Sequence, residues 1–163
     1  MNHQVTKFNN NDTWHMDIAL KEAEKAFSAS EVPVGAVIVN KENKIISKSH
    51  NLKESSHDPC GHAEIIAIRD AAREIGNWRL SGCKLIVTLE PCVMCMGAII
   101  QARLDTLIFG AYDLKAGAIS LGFNLNRDLR LNHRFNIIGG VEHFMCSRML
   151  SSFFKQRRLF YKK

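Results

Sequence analysis

The sequence predicts an α/β fold in which a mixed five-stranded sheet is flanked by helices. Predicted strands alternate with predicted helices along the chain, which is typical of layered α/β proteins. The chain has 163 residues, of which 46% are hydrophobic, so it is long enough to bury one substantial core. No internal repeat, low-complexity stretch or linker divides it. We therefore expect residues 1–163 to form a single domain.

The first half of the chain predicts a helix, a strand hairpin and a second helix. Apolar residues recur at helical spacing after a capping pair at Asp12-Thr13, and two short apolar runs flank a polar turn. The expected elements are a helix from the cap to Phe27, strands over 34–39 and 44–49, a loop over 51–61, and a helix over 62–75.

The second half of the chain continues the alternation and ends in a basic helix. The expected elements are strands over 83–89, 106–109 and 135–138, a helix over 92–103, and a final helix over about 142–163. The stretch from Asp113 to Asn132 is rich in Gly and Asn and predicts an irregular segment. Long loops of this kind are often functional.

A cysteine pair and a distant histidine have the spacing of a metal site. Cys92 and Cys95 lie three residues apart, so on a helical turn they face the same way. The preceding apolar run predicts a strand that delivers them to a helix N-terminus, with Pro91 suited to the helix start. The helix dipole there favours thiolate, the form that binds zinc.

Ligand number decides between the uses of this motif. A lone C-x-x-C is equally typical of a redox pair or of half a structural zinc finger. A structural site takes four protein ligands, whereas His62, Cys92 and Cys95 are three and leave the fourth position to water. Cys60 is a possible fourth ligand, but a closed shell has no place for that water. The count therefore favours a catalytic zinc without Cys60.

Glu64 supplies the remaining chemistry. Water bound to such a zinc ion has a pKa near about 7. A carboxylate that does not bind the metal is then needed to move the proton. Glu64, two residues after His62, is placed for this role. The combination H-x-E followed by P-C-x-x-C matches the known signature of zinc-dependent nucleobase deaminases.

Further sequence blocks carry a closer resemblance. The chain resembles the bacterial tRNA-specific adenosine deaminases of the cytidine deaminase-like superfamily over nearly its whole length. The matching blocks lie at residues 31–37, 57–59, 88–95, 109–111, 132–134 and 153–154. The chain departs from the family at Cys60-Gly61, and at Tyr112, where an arginine is common.

The resemblance implies a fold, a reaction and a set of site residues. It implies a three-layer cytidine deaminase-like fold and a homodimer, with one Zn²⁺ per chain on His62, Cys92 and Cys95. It also implies hydrolytic deamination of adenosine to inosine at the first anticodon position of a tRNA, with an arginine tRNA as the expected substrate. Glu64 would move protons, and Asn51 would hydrogen-bond the target base. The remaining expected contacts to the anticodon stem-loop are Asp113, Asn132, His133, Arg134 and Phe154.

The positive charge of the chain is concentrated at its end. The formal net charge is +6, and six basic residues without an acid follow from Arg148 onward. These residues are Arg148, Lys155, Arg157, Arg158, Lys162 and Lys163. Such a stretch is often only a solvated helix face. Beside a nucleic-acid deaminase site it predicts phosphate contacts by Lys155, Arg157 and Arg158.

The composition indicates the cellular compartment, and the sequence leaves two alternative functions open. No apolar run approaches the roughly 20 residues of a membrane span. Five cysteines, two of them expected on metal, predict no disulfide framework and a reducing, cytoplasmic location. One rival is a deaminase of free cytosine, cytidine or guanine, for which the basic end is incidental. The other is a non-catalytic, zinc-stabilised RNA-binding module, which a fourth protein ligand would reveal.

Overall fold

The structure, a computed structural model that describes residues 9–160, confirms the predicted α/β fold. The elements are α1 (Asn10–Ser28), β1 (Gly35–Val39), β2 (Ile45–His50), α2 (Ala63–Ile75), β3 (Lys84–Leu89), α3 (Val93–Ala102), β4 (Thr106–Ala111), β5 (Asn136–Gly139) and α4 (His143–Phe160). Within residues 9–160, none of the helices combines the length and apolar character that crossing a membrane requires.

The five strands form one mixed sheet in the order β2-β1-β3-β4-β5. Strand β1 is antiparallel to both of its neighbours, while β3, β4 and β5 run parallel. Strands β2, β3 and β4 therefore all point the same way. The segments that follow them begin at a common edge, which is where open α/β sheets bind ligands.

Helices cover both faces of the sheet because the strand residues alternate between two apolar clusters. Ile38, Leu85 and Leu107 point into the cluster shared with α2 and α3. Their neighbours Val37, Ile86 and Ile108 point into the cluster that receives α1 and α4. Strands with two buried faces read as continuous apolar runs, which explains why they were predictable.

The first helix lies directly on β1 at Gly35. A Cβ atom added to this glycine would overlap the backbone of Ala19 and Ala23 in α1. The absent side chain therefore permits the close packing of helix on strand, which holds the start of β1 in place.

Several element boundaries differ from the prediction. The cap of α1 is Asn9 rather than Asp12-Thr13, because Asn9 and Asp12 form a reciprocal capping box with two bonds of 3.0 Å. Helix α3 begins at Val93, so Pro91 precedes the cap instead of starting the helix. Helix α4 begins at His143, and Lys162 and Lys163 lie outside the described residues.

Candidate active site

The three predicted metal ligands lie at the N-termini of two neighbouring helices. His62 is the N-cap residue of α2, and Cys92 is the N-cap residue of α3. Neither side chain caps its own helix, so both are free to face a common point. Cys95, on the first turn of α3, is fully buried beside them.

The distances among the three ligand atoms fit a single zinc ion. His62 Nδ1 lies 3.7 Å from Cys92 Sγ and 3.5 Å from Cys95 Sγ. A tetrahedral zinc with its usual bond lengths would separate nitrogen and sulfur ligands by about 3.6 Å. In the described part of the chain the group consists of these three residues, and Cys60 is not part of it.

Protons are distributed unequally over the cluster. A hydrogen bond from Cys95 is the main cause that lowers the pKa of Cys92 to about 4. The same bond, with burial, raises the pKa of Cys95. The bond to Cys92 also raises the pKa of His62, against the opposing effect of burial. Because a metal binds the deprotonated forms, zinc binding to this cluster releases protons.

Glu64 faces the same site from the first turn of α2. Residues two apart normally diverge on a helix, but His62 precedes the regular helix, so both side chains line one cavity. Glu64 is buried, and burial raises the pKa of its carboxyl above the usual range. A carboxyl group with a raised pKa is better suited than an ordinary one to accept a proton and to pass it on.

The cavity beside these residues has a volume of about 180 Å³. A cavity of about 150 Å³ is sufficient for benzene, so this one is the size of a single nucleobase. Asn51, directly after β2, lines it together with the apolar side chains of Val32, Val34 and Leu89. The predicted base contact and the catalytic candidates are thus brought together.

A groove of about 540 Å³ adjoins the cavity and is lined in part by α4. The two share Val32, Leu89 and Asp113 in their walls. Phe154 and Arg158 line the groove, and Tyr112, at the position of the family departure, lines it as well. Two of the residues predicted from the C-terminal helix therefore lie next to the candidate active site.

The other two basic residues of that helix lie outside this groove. Lys155 is exposed, and neither it nor Arg157 lines the groove. The guanidinium carbon of Arg157 lies 5.5 Å from the ring centroid of the buried Phe153. The helix thus divides the predicted phosphate contacts between the groove and the surrounding surface.

The predicted RNA contacts at residues 132–134 lie far from the cavity within the chain. They are at the N-terminal ends of β4 and β5, whereas the cavity is at the C-terminal ends of the strands. The Arg103 guanidinium donates to Asn132, and His133 Nε2 lies 2.7 Å from the Leu104 carbonyl oxygen before β4. The six residues of β4 separate that end from Asp113 by roughly 20 Å. The structure does not bring these three residues to the cavity, and their assignment to RNA contacts stays a prediction.

Two buried glutamates at the site received no role in the sequence analysis. Glu90 accepts hydrogen bonds from the backbone of Asp113 and Ser120, at 3.0 and 2.7 Å, and from the Ser120 hydroxyl. It thereby ties the irregular segment after β4 to the cavity wall. Glu31 accepts a hydrogen bond of 3.1 Å from the side-chain amide of Asn51, which lines the cavity. The available signal was that Glu31 and Glu90 both lie inside sequence blocks of the resemblance, at 31–37 and 88–95.

A family comparison places this site. Residues 9–111 match the cytidine and deoxycytidylate deaminase zinc-binding region. The chain belongs to this deaminase family. The predicted resemblance is confirmed, and the cofactor of the domain is zinc, in agreement with the cluster of His62, Cys92 and Cys95.

Individual relatives cover nearly the whole chain. A tRNA-specific adenosine deaminase of Bacillus subtilis is 43% identical over 90% of this chain and 91% of its own length. One of Haemophilus influenzae is 47% identical over 88% of this chain and 83% of its own. A solved structure from work on A-to-I editing by tRNA:A34 deaminases superposes with a TM-score of 0.81, at 38% identity, over 85% of this chain and 99% of that chain.

Proposed function

We propose that the protein deaminates adenosine to inosine at the wobble position of a tRNA. The observation that carries this proposal is a base-sized cavity lined by His62, Cys92 and Glu64, next to a groove lined by Phe154 and Arg158. Such a site accepts one extruded base while the rest of the nucleic acid stays outside. The relatives at 43–47% identity carry the name of this activity.

The residues of the cavity divide the reaction between them. Zinc held by His62, Cys92 and Cys95 supplies Lewis-acid activation of a water molecule. Glu64 takes one proton from that water and passes it to a ring nitrogen of the purine, then takes the second proton from the oxygen now on C6 and passes it to the departing amine. A C–O bond forms at C6, the exocyclic C–N bond breaks, and ammonia leaves.

Recognition of the base is the role proposed for Asn51 and the apolar walls. The Asn51 amide hydrogen-bonds the purine edge, and Val32, Val34 and Leu89 contact its faces. Extruding a base costs least in a single-stranded loop, which suits an anticodon. An arginine tRNA is the substrate proposed from the family resemblance.

The RNA outside the cavity is expected to follow the groove. Phe154 is 44% exposed and can stack on a neighbouring base, a contact worth about 1–3 kcal/mol. Arg158 in the groove, with Lys155 and Arg157 around it, is proposed to contact phosphates. Asp113 lines both spaces and is proposed to meet the RNA backbone or a 2′-hydroxyl.

We also propose a homodimer of single-domain subunits in a reducing, cytoplasmic compartment. None of the five cysteines, all of which the structure describes, forms a disulfide, which supports the compartment. Large apolar side chains are exposed between β4 and α4 at Leu121, Phe123 and Leu129, and on the first turn of α4 at Phe144, where a partner subunit can cover them. Light scattering should give twice the 18.4 kDa of one chain, and a monomer at micromolar concentration would contradict the dimer.

A substrate panel tests the proposed function. The zinc-loaded protein is incubated with an arginine anticodon stem-loop, free adenosine, cytidine, cytosine and guanine, and products are identified by mass spectrometry. Inosine in the stem-loop alone is the expected result. Turnover of a free base or nucleoside instead would support the rival deaminase. No turnover of any substrate would support the RNA-binding module.

A further inference from the structure

Glu31 is a fully buried carboxylate beside the base cavity, at 0% exposure. Its backbone is fixed by the end of α1, where Ser30 takes a left-handed φ of 62° and the Glu31 N–H donates to the Ala26 carbonyl at 2.9 Å. This pattern is a standard helix ending that holds the following residue in place. The reaction described above does not use Glu31.

All described hydrogen bonds to this carboxylate come from Asn51 and the loop that follows it. Asn51 Nδ2 donates to Glu31 Oε2 at 3.1 Å. The Glu54 N–H donates to the same oxygen at 3.2 Å, and the Ser55 N–H donates to Oε1 at 2.7 Å. Burial raises the pKa of Glu31, but these backbone donors outweigh it and hold the pKa below its usual range.

We propose that Glu31 is a positioning residue that fixes the side-chain amide of Asn51 for reading the target base. An ionised carboxylate only accepts hydrogen bonds, so it can face the NH₂ side of an amide but not the oxygen side. Glu31 therefore selects one of the two flipped orientations of Asn51. The inference deepens the proposed function and rests on it.

The selected orientation leaves a defined pattern in the cavity. Within residues 9–160, Asn51 Oδ1 accepts no hydrogen bond, and it is not among the buried atoms that lack a partner. Since Asn51 lines the cavity, this oxygen is open to it as an acceptor. The second Nδ2 hydrogen is also left for the base. A flipped amide would exchange donor and acceptor and misread the purine edge.

A purely structural role for Glu31 is the alternative to be separated. Its bonds to Glu54 and Ser55 hold the loop that connects Asn51 to His62. Loss of those bonds alone would disturb zinc binding or stability regardless of Asn51. A role through the amide predicts that the effect of Glu31 disappears once that amide is gone.

A double-mutant cycle on the zinc-loaded full chain makes this separation. Glu31→Gln can present either donor or acceptor, so it should lower kcat/KM for the anticodon stem-loop by about 10- to 100-fold. In an Asn51→Ala background, Glu31→Gln should lower kcat/KM by a further factor of less than about three. Independent, multiplying effects, or loss of bound zinc in Glu31→Gln, would overturn the proposal. Glu22→Gln, at a buried glutamate within α1, is the control and should leave kcat/KM near wild type.

A second measurement needs no Glu31 variant and no activity. In nitrogen-15 NMR spectra of the wild-type zinc protein, one Asn51 Nδ2 proton, assigned by its loss in Asn51→Ala, should exchange slowly with water. Exchange of both protons at the rate of a free amide would refute the hydrogen bond to Glu31. A protected proton in a protein that makes no inosine would leave the amide geometry intact and place the failure in the proposed function.

Discussion

The floor of the site, at the metal ligands, and its rim, at the groove beside α4, are built differently, although the two spaces share three wall residues. At the floor, His62 and Cys92 are the N-cap residues of α2 and α3, and Cys95 lies buried on the first turn of α3. At the rim, Phe154 and Arg158 are exposed side chains on α4. Zinc chemistry needs fixed distances, which buried helix ends supply. RNA binding sums many weak contacts, which exposed side chains supply.

The largest effect is expected from removing a ligand at the floor. Cys92→Ala or Cys95→Ala should abolish stoichiometric zinc, because two remaining ligands do not complete the site, and should lower the unfolding temperature. Elemental analysis checks the metal content. Cys60→Ser is the matched control and should retain one zinc per chain. Full zinc occupancy in the Cys92→Ala protein would contradict the assignment.

The next effect separates chemistry from binding at the same floor. Glu64→Ala should keep zinc and stem-loop affinity while turnover falls by about 10²–10⁴-fold, because only proton transfer is removed. Single-turnover inosine formation measures the loss. Glu74→Ala, an exposed glutamate at the far end of α2, should have no effect. Near-normal turnover in Glu64→Ala would exclude the proton-transfer role.

A smaller effect is expected at the rim. The triple alanine variant of Lys155, Arg157 and Arg158 should keep zinc and its turnover at saturating RNA while the apparent KM rises. The salt dependence of binding should flatten by about one unit of slope per lost phosphate contact, or somewhat less for single strands. Titrations at several salt concentrations test this. Slopes identical to wild type would mean that the helix face is only solvated.

The smallest expected effect is a difference in stem-loop binding between alanine variants of two arginines. Arg158 lines the groove, whereas Arg134 lies at the other edge of the sheet. Arg158→Ala should therefore weaken stem-loop binding more than Arg134→Ala does. A larger loss with Arg134→Ala would show that the RNA path reaches the N-terminal end of β4, as the resemblance implies.

The sequence predicted the floor better than the rim for a physical reason. Zinc accepts few ligand types at fixed spacing, so Cys92, Cys95 and His62 form a recognisable pattern. Glu31 accepts hydrogen bonds from backbone N–H groups of a loop that is distant in sequence. Every residue type except proline has such a group, so the sequence holds no pattern that predicts these bonds. Residues 132–134 match a sequence block of the family. Only the directions of the strands show that these residues lie at the N-terminal ends of β4 and β5, away from the cavity.

The positions of the helices and strands were also easier to predict than the residues at which they begin. The apolar runs located every strand and helix, since burial on two faces leaves a strong pattern. The cap of α1 was misplaced because Asn9, Asp12 and Thr13 all suit a cap, and the reciprocal bonds between Asn9 and Asp12 decide the competition.

Zinc-edge X-ray absorption of the purified wild-type protein tests the central claim most directly. Two sulfur ligands at about 2.3 Å and two nitrogen or oxygen ligands at about 2.0–2.1 Å are predicted, from Cys92, Cys95, His62 and one water. The spectrum of Cys60→Ser should be identical. A third sulfur ligand that disappears in Cys60→Ser would show a shell closed by protein, and would contradict a catalytic zinc.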